Sequence, residues 1–271
     1  MIPSLAGFML FYTVPFFYSF RYAFTRNAFD MVFVGFDNFK SVLENNTYLL
    51  ALGNTVRFTL LGVALIMLFS LFISLLFSMA GPKYSPLRAV FVLPMLLPTA
   101  GLSLIWRTVF NPNGALNFSV SISSGFWGEL LSPQLIPLYL LFLWKYCGFN
   151  IILISSAMTG ISSDIYDAAR LDGAGLAGVY RRIIIPLIRP ALFFSLVLSF
   201  VNSFRIFKEI YYLFGGDYPP NAVYMVQHFM NNQFSKLNYQ LLSAGAILFT
   251  ALIAGLILTP YLIASGRGRK A

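Results

Sequence analysis

The chain has 271 residues, 58% of them hydrophobic and 10% charged, with a mean hydropathy of +0.77. A water-soluble domain carries about 25% charged residues, so most of this surface faces something other than water, and a lipid bilayer is the solvent that fits. The net charge of +9 does not point to nucleic acid, because the basic residues gather at the ends of apolar segments rather than along one polar face.

Six stretches reach the roughly 20 apolar residues that a helical span needs. In chain order they run over about Ile2–Phe24, Leu49–Ala80, Leu87–Phe110, Leu135–Met158, Pro190–Phe214 and Leu241–Ala264. The runs are continuous rather than alternating, which excludes barrel strands, and open strands cannot satisfy their backbone in lipid. The expectation is an all-α, polytopic membrane protein: six transmembrane helices in a single transmembrane domain over residues 1–271. The opening stretch reads as a span and not as a cleaved leader, since no small-residue cleavage pattern follows it; the basic leader usual before a first span is absent, so the chain is expected either to be truncated or to begin in the membrane. Cys147 stands alone, which excludes an internal disulfide and leaves it as a small packing residue.

Basic residues orient the spans. The connection 81–88 carries Lys83 and Arg88, the connection 160–189 carries Arg170, Arg181, Arg182 and Arg189, and the tail carries Arg267, Arg269 and Lys270. The opposite loops hold Arg26, Lys40 and Lys236 beside Asp30, Asp37, Glu44, Glu129 and Asp217. The positive-inside rule places the first set, and both termini, in the cytoplasm.

The long connection, about 160–189, reads as a short helix followed by a second helical stretch. Ser163 or Asp164 can cap it, Asp164 and Asp167 sit where the helix dipole favours acids, and Gly173 can close the C-terminus with φ > 0. The stretch from Gly175 ends at Pro186, with Pro190 at the start of the fifth span. The pattern Asp167-Ala168-Ala169, Gly173, then Ile183-x-Ile185-Pro186 resembles the EAA loop of the permease subunits of ABC importers, whose form is Glu-Ala-Ala, Gly, Ile-x-Leu-Pro; Asp for Glu and Ile for Leu are its departures. Further segments are similar to the maltose-type carbohydrate branch. They are Val34 to Phe39, Asn54-Thr55, Arg88 through Leu93-Pro94, Trp144 with Gly148-Phe149, Ser203-Phe204, Ile210-Tyr211 and Gly215-Gly216. Lys208 departs from that branch, which often has Asp there.

The resemblance implies the ABC importer type I permease fold with a cytoplasmic coupling helix. Asp167, Ala168, Ala169, Arg170, Asp172, Gly173, Ile183, Ile185 and Pro186 would then dock on a cytoplasmic ATPase. The implied partners are a second homologous permease subunit (a paralogue or a copy of this chain), two copies of the ATPase holding ATP and Mg, and an external solute-binding protein. The location implied is a bacterial cytoplasmic membrane. The chain itself has no G-x-x-x-x-G-K-[ST] loop, no metal-ligand cluster and no nucleophile–base pair, so it is expected to bind no cofactor and to be no enzyme.

Charges at membrane depth are costly and mark function. In the fifth span Asn202, Arg205, Glu209 and Tyr212 advance by helical steps and would share one face, as an internal Arg205–Glu209 ion pair, as a lining of the cargo path, or both. Trp144, Tyr146 and Asn150 of the fourth span, with Asn202, offer the aromatic faces and amides that sugars bind. Arg57 and Arg107 are expected to snorkel to the interface. Outside, Gly215, Gly216, Pro219, Pro220 and Asn221 begin a loop that either meets the binding protein or folds on its own spans, and its His228 is expected at a partly exposed interface. The expected activity is import of a sugar or oligosaccharide. The alternatives are another polar or acidic cargo, such as glycerol phosphate, and a secondary transporter, against which the coupling loop argues.

Overall fold

The computed structural model describes residues 2–27, 32–110 and 132–268. Asp30, Glu129, Arg269 and Lys270, and the side chains of Arg170 and Arg267, lie outside the described residues. Every long segment among the described residues is helical. In order it forms α1 (Ile2–Phe8), a π turn (Met9–Thr13), α2 (Val14–Ala23), α3 (Asp37–Leu43) and α4 (Asn46–Ala80). A 3-10 stretch (Pro82–Phe91) leads to α5 (Leu93–Leu96) and α6 (Thr99–Val109). Then come α7 (Leu135–Thr159), α8 (Ser163–Leu171), α9 (Leu176–Val179), a second π turn (Tyr180–Ile184), α10 (Ile185–Leu187), α11 (Arg189–Phe204) and α12 (Phe207–Phe214). A 3-10 turn (Asn221–Val223), α13 (Val226–Ser235) and α14 (Tyr239–Gly268) close the chain.

Among the described residues, four helical runs are long and apolar enough to cross a membrane: Asn46–Ala80, Leu135–Thr159, Arg189–Phe214 and Tyr239–Leu258. The third expected span is not one straight helix. Pro86–Leu96 and Thr99–Val109 meet at 93°. Leu97 and Pro98 between them are extended, with ψ of 140° and 128°. Pro98 lacks an N–H and pushes the residue before it out of the helical region, which accounts for the corner. The first expected span is helical from Ile2 to Ala23 but passes through the π turn. Both π turns end two residues before a proline, Pro15 and Pro186, whose missing N–H leaves a carbonyl one turn back without its usual donor.

The chain divides into two compact units, Met1–Val56 with Gly215–Ala271, and Arg57–Phe214. In the first, α2 and α3 pack on α14. Tyr48 donates from its hydroxyl to Gly245 O at 3.2 Å and meets the Phe229 ring edge-on. In the second unit, α4 and α7 run parallel and in register. Phe58 stacks on Tyr139, Gly62 faces Phe142, and the Ser70 and Ser74 hydroxyls donate to the Cys147 and Ile151 carbonyls. Cys147 is buried there as a packing residue.

Gly148 of α7 lies against the backbone of Phe91 and Val92. A Cβ built on it would fall 1.9 Å from the Phe91 carbonyl oxygen, so only glycine permits this approach.

Candidate functional site

Three groups of residues carry the polar chemistry, and the first is the 160–189 loop. α8 is short and closed at both ends. Its cap is Ser162 rather than Ser163 or Asp164: the Ser162 hydroxyl accepts the Asp164 N–H at 3.3 Å and meets the Asp164 carboxylate at 3.1 Å. At the other end the Ala174 N–H donates to Ala169 O at 2.9 Å across Gly173, whose φ is +73°. That six-to-one bond around a left-handed glycine is a Schellman closure.

The inner side of α8 buries Ala169. With Val179, Ile184 and Ile188 it forms a cluster against Ile154 and Met158 of α7, flanked by Leu71 and Leu75 of α4. Tyr180 donates to the Ser78 hydroxyl at 3.4 Å. Of the Ile-x-Ile-Pro pattern, Ile184 is the core residue, and Ile183, Ile185 and Pro186 are half-buried around it. The outer side of α8 presents Asp164, Asp167, Ala168 and Leu171, one face by their spacing, with Asp172 and Gly173 also exposed. Leu171 is 89% exposed, a large apolar side chain with nothing of its own unit over it.

The second group is the polar centre of the second unit. The expected common face of Asn202, Arg205, Glu209 and Tyr212 does not form, because the helix breaks at Arg205 and Ile206. Ser203 donates its hydroxyl back to Phe200 O at 2.7 Å, and the Arg205 N–H bonds Asn202 O, three residues back. Hydroxyl back-bonding of this kind bends helices. Glu209 therefore points inward, 1% exposed, while Arg205 and Tyr212 are exposed and Asn202 is half-buried.

The ion pair is also not Arg205–Glu209. Lys145 of α7, 5% exposed, donates to Glu209 Oε1 at 2.6 Å and to Thr99 Oγ1 of α6 at 2.8 Å. The Tyr146 hydroxyl donates to the same Oε1 at 3.0 Å. Lys145 is the residue that sequence reasoning did not place in the site. Its signal was a lysine in an apolar span, which requires a counter-charge. Lys208, where the carbohydrate branch often carries Asp, is exposed, and the buried acid is the next residue.

Among the other expected residues, Asn150 is buried and donates to Ser199 Oγ at 2.7 Å. Trp144 is 42% exposed, its ring 5.7 Å from that of Trp106. So Tyr146 and Glu209 come together, Asn150 has a separate partner, and Trp144, Arg205 and Tyr212 face outward. Arg57 and Arg107 are exposed.

The third group, in the first unit, is the segment after Gly215 and Gly216, which turn with φ of +82° and +127°. Asn54 donates to the Asn221 and Tyr224 carbonyls at 2.6 and 3.0 Å, and Thr55 accepts the Val226 N–H at 3.0 Å. Pro219, Val223, Tyr224, Met225, Val226 and Phe229 are buried within the unit, so most of the loop folds on its own helices. Pro220 and Asn221 stay exposed, beside Tyr218. His228 is fully buried instead of partly exposed, its Nδ1 accepting the Met225 N–H at 3.2 Å.

Apolar spans around a polar centre, with a rigid capped helix seated on the ends of two of them, define a membrane transport subunit. Residues 66–265 match the family described as binding-protein-dependent transport system inner membrane component, and the chain belongs to that family. It is 28% identical to the probable ABC transporter permease protein YesP of Bacillus subtilis, over 80% of this chain and 73% of that one. It is 28% identical to the trehalose/maltose transport system permease protein MalF of Thermococcus litoralis, over 82% and 76%. In fold it is similar, at a TM-score of 0.75 and 19% identity, to a chain of a bacterial ABC transporter involved in the import of the acidic polysaccharide alginate, covering 97% of this chain and 92% of that one.

Proposed function

We propose that the chain is the membrane-spanning permease subunit of an ATP-driven importer that takes a sugar or oligosaccharide from an external binding protein across the cytoplasmic membrane. The observation that carries the coupling half of this reading is α8. It is stiffened at both ends, anchored on α7 through Ala169, and turns Asp164, Asp167, Ala168 and Leu171 outward. A protruding apolar side chain rimmed by acids suits a groove in a cytoplasmic ATPase, with the apolar contact giving affinity and the charges giving register. Two ATPase copies, a second homologous permease and the binding protein complete the assembly, and ATP with Mg belongs to the ATPase. The carbohydrate half rests on the named relatives. An acidic cargo is the second reading: Arg205 and Lys208 are exposed, and Glu209, the acid that would oppose it, is already held by Lys145.

The test is cargo uptake in vesicles beside co-purification of the ATPase. Gly173→Val forces a branched residue into φ > 0 at about 1 kcal/mol or more, without a clash, since nothing lies within 4 Å of the Cβ position. Asp167→Lys reverses the exposed charge. Both are expected to insert in the membrane, lose ATPase retention and reduce uptake at least tenfold, about 1.4 kcal/mol of lost coupling. Normal uptake with the ATPase retained in both variants would overturn the coupling assignment.

A further inference from the structure

One helix joins the loop to the polar centre. Near its end, Ile154 and Met158 of α7 form the cluster that seats Ala169 of α8. About 20 Å back along the same helix axis, Lys145 holds Thr99 and Glu209. α7 is unbroken from Leu135 to Thr159, so a displacement at Met158 moves Lys145 with it.

Both partners of Lys145 stand just past a break. Thr99 is the first residue of α6, immediately beyond the corner at Leu97 and Pro98. Glu209 lies in the first turn of α12, beyond the break at Arg205 and Ile206. A segment that follows a break can swing on it, while a continuous helix moves as a rod. Lys145 thus ties two hinged segments to one rigid element.

The contact is also incompletely satisfied. Glu209 Oε1 accepts from both Lys145 and Tyr146, whereas Oε2 is buried with no donor among the described residues. A buried carboxylate of this kind is stable only while its cation stays in place. Separation of Lys145 leaves Glu209 uncompensated and favours a different packing of α12. That is the property of an element with two discrete arrangements, which transmission between distant sites requires.

From this geometry we infer that Lys145 is a positioning residue, a charge latch that holds α6 and α12 on α7, and that movement of α8, carried along α7, opens it during transport. The inference rests on the coupling role proposed for α8. Lys145 does not need to touch cargo in this scheme; it sets when the segments beyond the breaks are free to move.

The test uses the whole importer in proteoliposomes, this chain with its partner permease, ATPase and binding protein. ATP hydrolysed per cargo molecule imported is measured for the wild type, Thr99→Val, Lys145→Met, Glu209→Gln and the exchanged pair Lys145→Glu with Glu209→Lys. The ratio is expected to rise about tenfold or more in the two single charge variants, to rise about threefold in Thr99→Val and to fall back to within about threefold of wild type in the exchanged pair. A purely structural pair predicts fewer folded transporters, with hydrolysis and uptake falling together at an unchanged ratio, and that result overturns the latch. An exchanged pair no better than the single variants overturns it too. Should the charge variants not assemble, Thr99→Val decides, since it leaves both charges in place. A wild-type complex in which the loaded binding protein elicits no hydrolysis is a separate outcome, and it overturns the importer reading beneath.

Discussion

His228 occupies the third position of α13 and returns a hydrogen bond to the backbone before the helix, accepting the Met225 N–H on Nδ1. This is the reciprocal half of a capping box, built here with a neutral imidazole. Burial pushes its pKa down, from 6.5 to about 4. A folded pKa below the unfolded one means that the unfolded chain takes the proton first. The stability is present above pH 6.5 and is lost as pH falls towards 4, about 3 kcal/mol in all. Thermal unfolding of the purified chain is therefore expected to lose stability across that window, and His228→Gln, which cannot titrate, to show a flatter dependence. Equal slopes in the two proteins would remove histidine as the cause. At this scale the sequence was readable wherever partners were local. Asp164 in the first turn of α8 and Gly173 at its close were both expected, while the cap fell one residue earlier, on Ser162. Lys145 and Glu209 are 64 residues apart, and no periodicity reports such a pair. The nearer Arg205 looked like the partner because helical spacing assumes an unbroken helix.

Elements were legible by length and apolarity, and their interruptions were not. The prolines at 94 and 98 were plain in the sequence, yet an apolar run of the right length reads the same whether it crosses straight or turns a corner. Pro98 makes the corner, and it is held by the packing of the 3-10 stretch Pro82–Phe91 and α5 against α7. Its tightest point is Gly148, which reads in the sequence only as part of a Gly-Phe pair. A methyl group there meets the Phe91 carbonyl at well under contact distance, with backbone on both sides and no flexible side chain to yield. Gly148→Ala is expected to cost about 1–3 kcal/mol or more by overpacking, read as a lowered thermal midpoint in detergent. Gly53→Ala, inside α4 with nothing within 4 Å of its Cβ position, should leave the midpoint no lower and raise it slightly, since alanine loses less backbone entropy in a helix. A Gly148→Ala midpoint equal to wild type would show that the two segments are not held at this distance.

Within each unit, helix ends collect in a way that bears on how the chain threads the membrane. In the second unit the end of α4, at Leu75 and Ser78, meets the end of α7, at Met158, and the approach to α11, at Ile188. The connections that leave those ends carry Lys83, Arg181, Arg182 and Arg189. In the first unit Tyr22, near the end of α2, stacks on Tyr239 at the beginning of α14, so these two helices run in opposite directions. The connections of this unit carry Arg26, Lys40 and Lys236 beside Asp37, Glu44 and Asp217 among the described residues, with Lys40 paired to Glu44 and Asp217 bonded to Asn231, three charges of each sign. Basic excess on one set of connections and balance on the other is the charge asymmetry that retains a loop in the cytoplasm. The proposed threading therefore puts the α8 loop inside and the Asn221 segment outside. Ser163 and Asn221 are both exposed, so cysteines at these positions report the side without disturbing the fold. In a background with Cys147→Ser, a membrane-impermeant maleimide added to intact cells is expected to label Asn221→Cys and to spare Ser163→Cys, which becomes reactive once the membrane is opened. Labelling of Ser163→Cys from outside would reverse the orientation, and it would place α8 out of reach of any cytoplasmic ATPase.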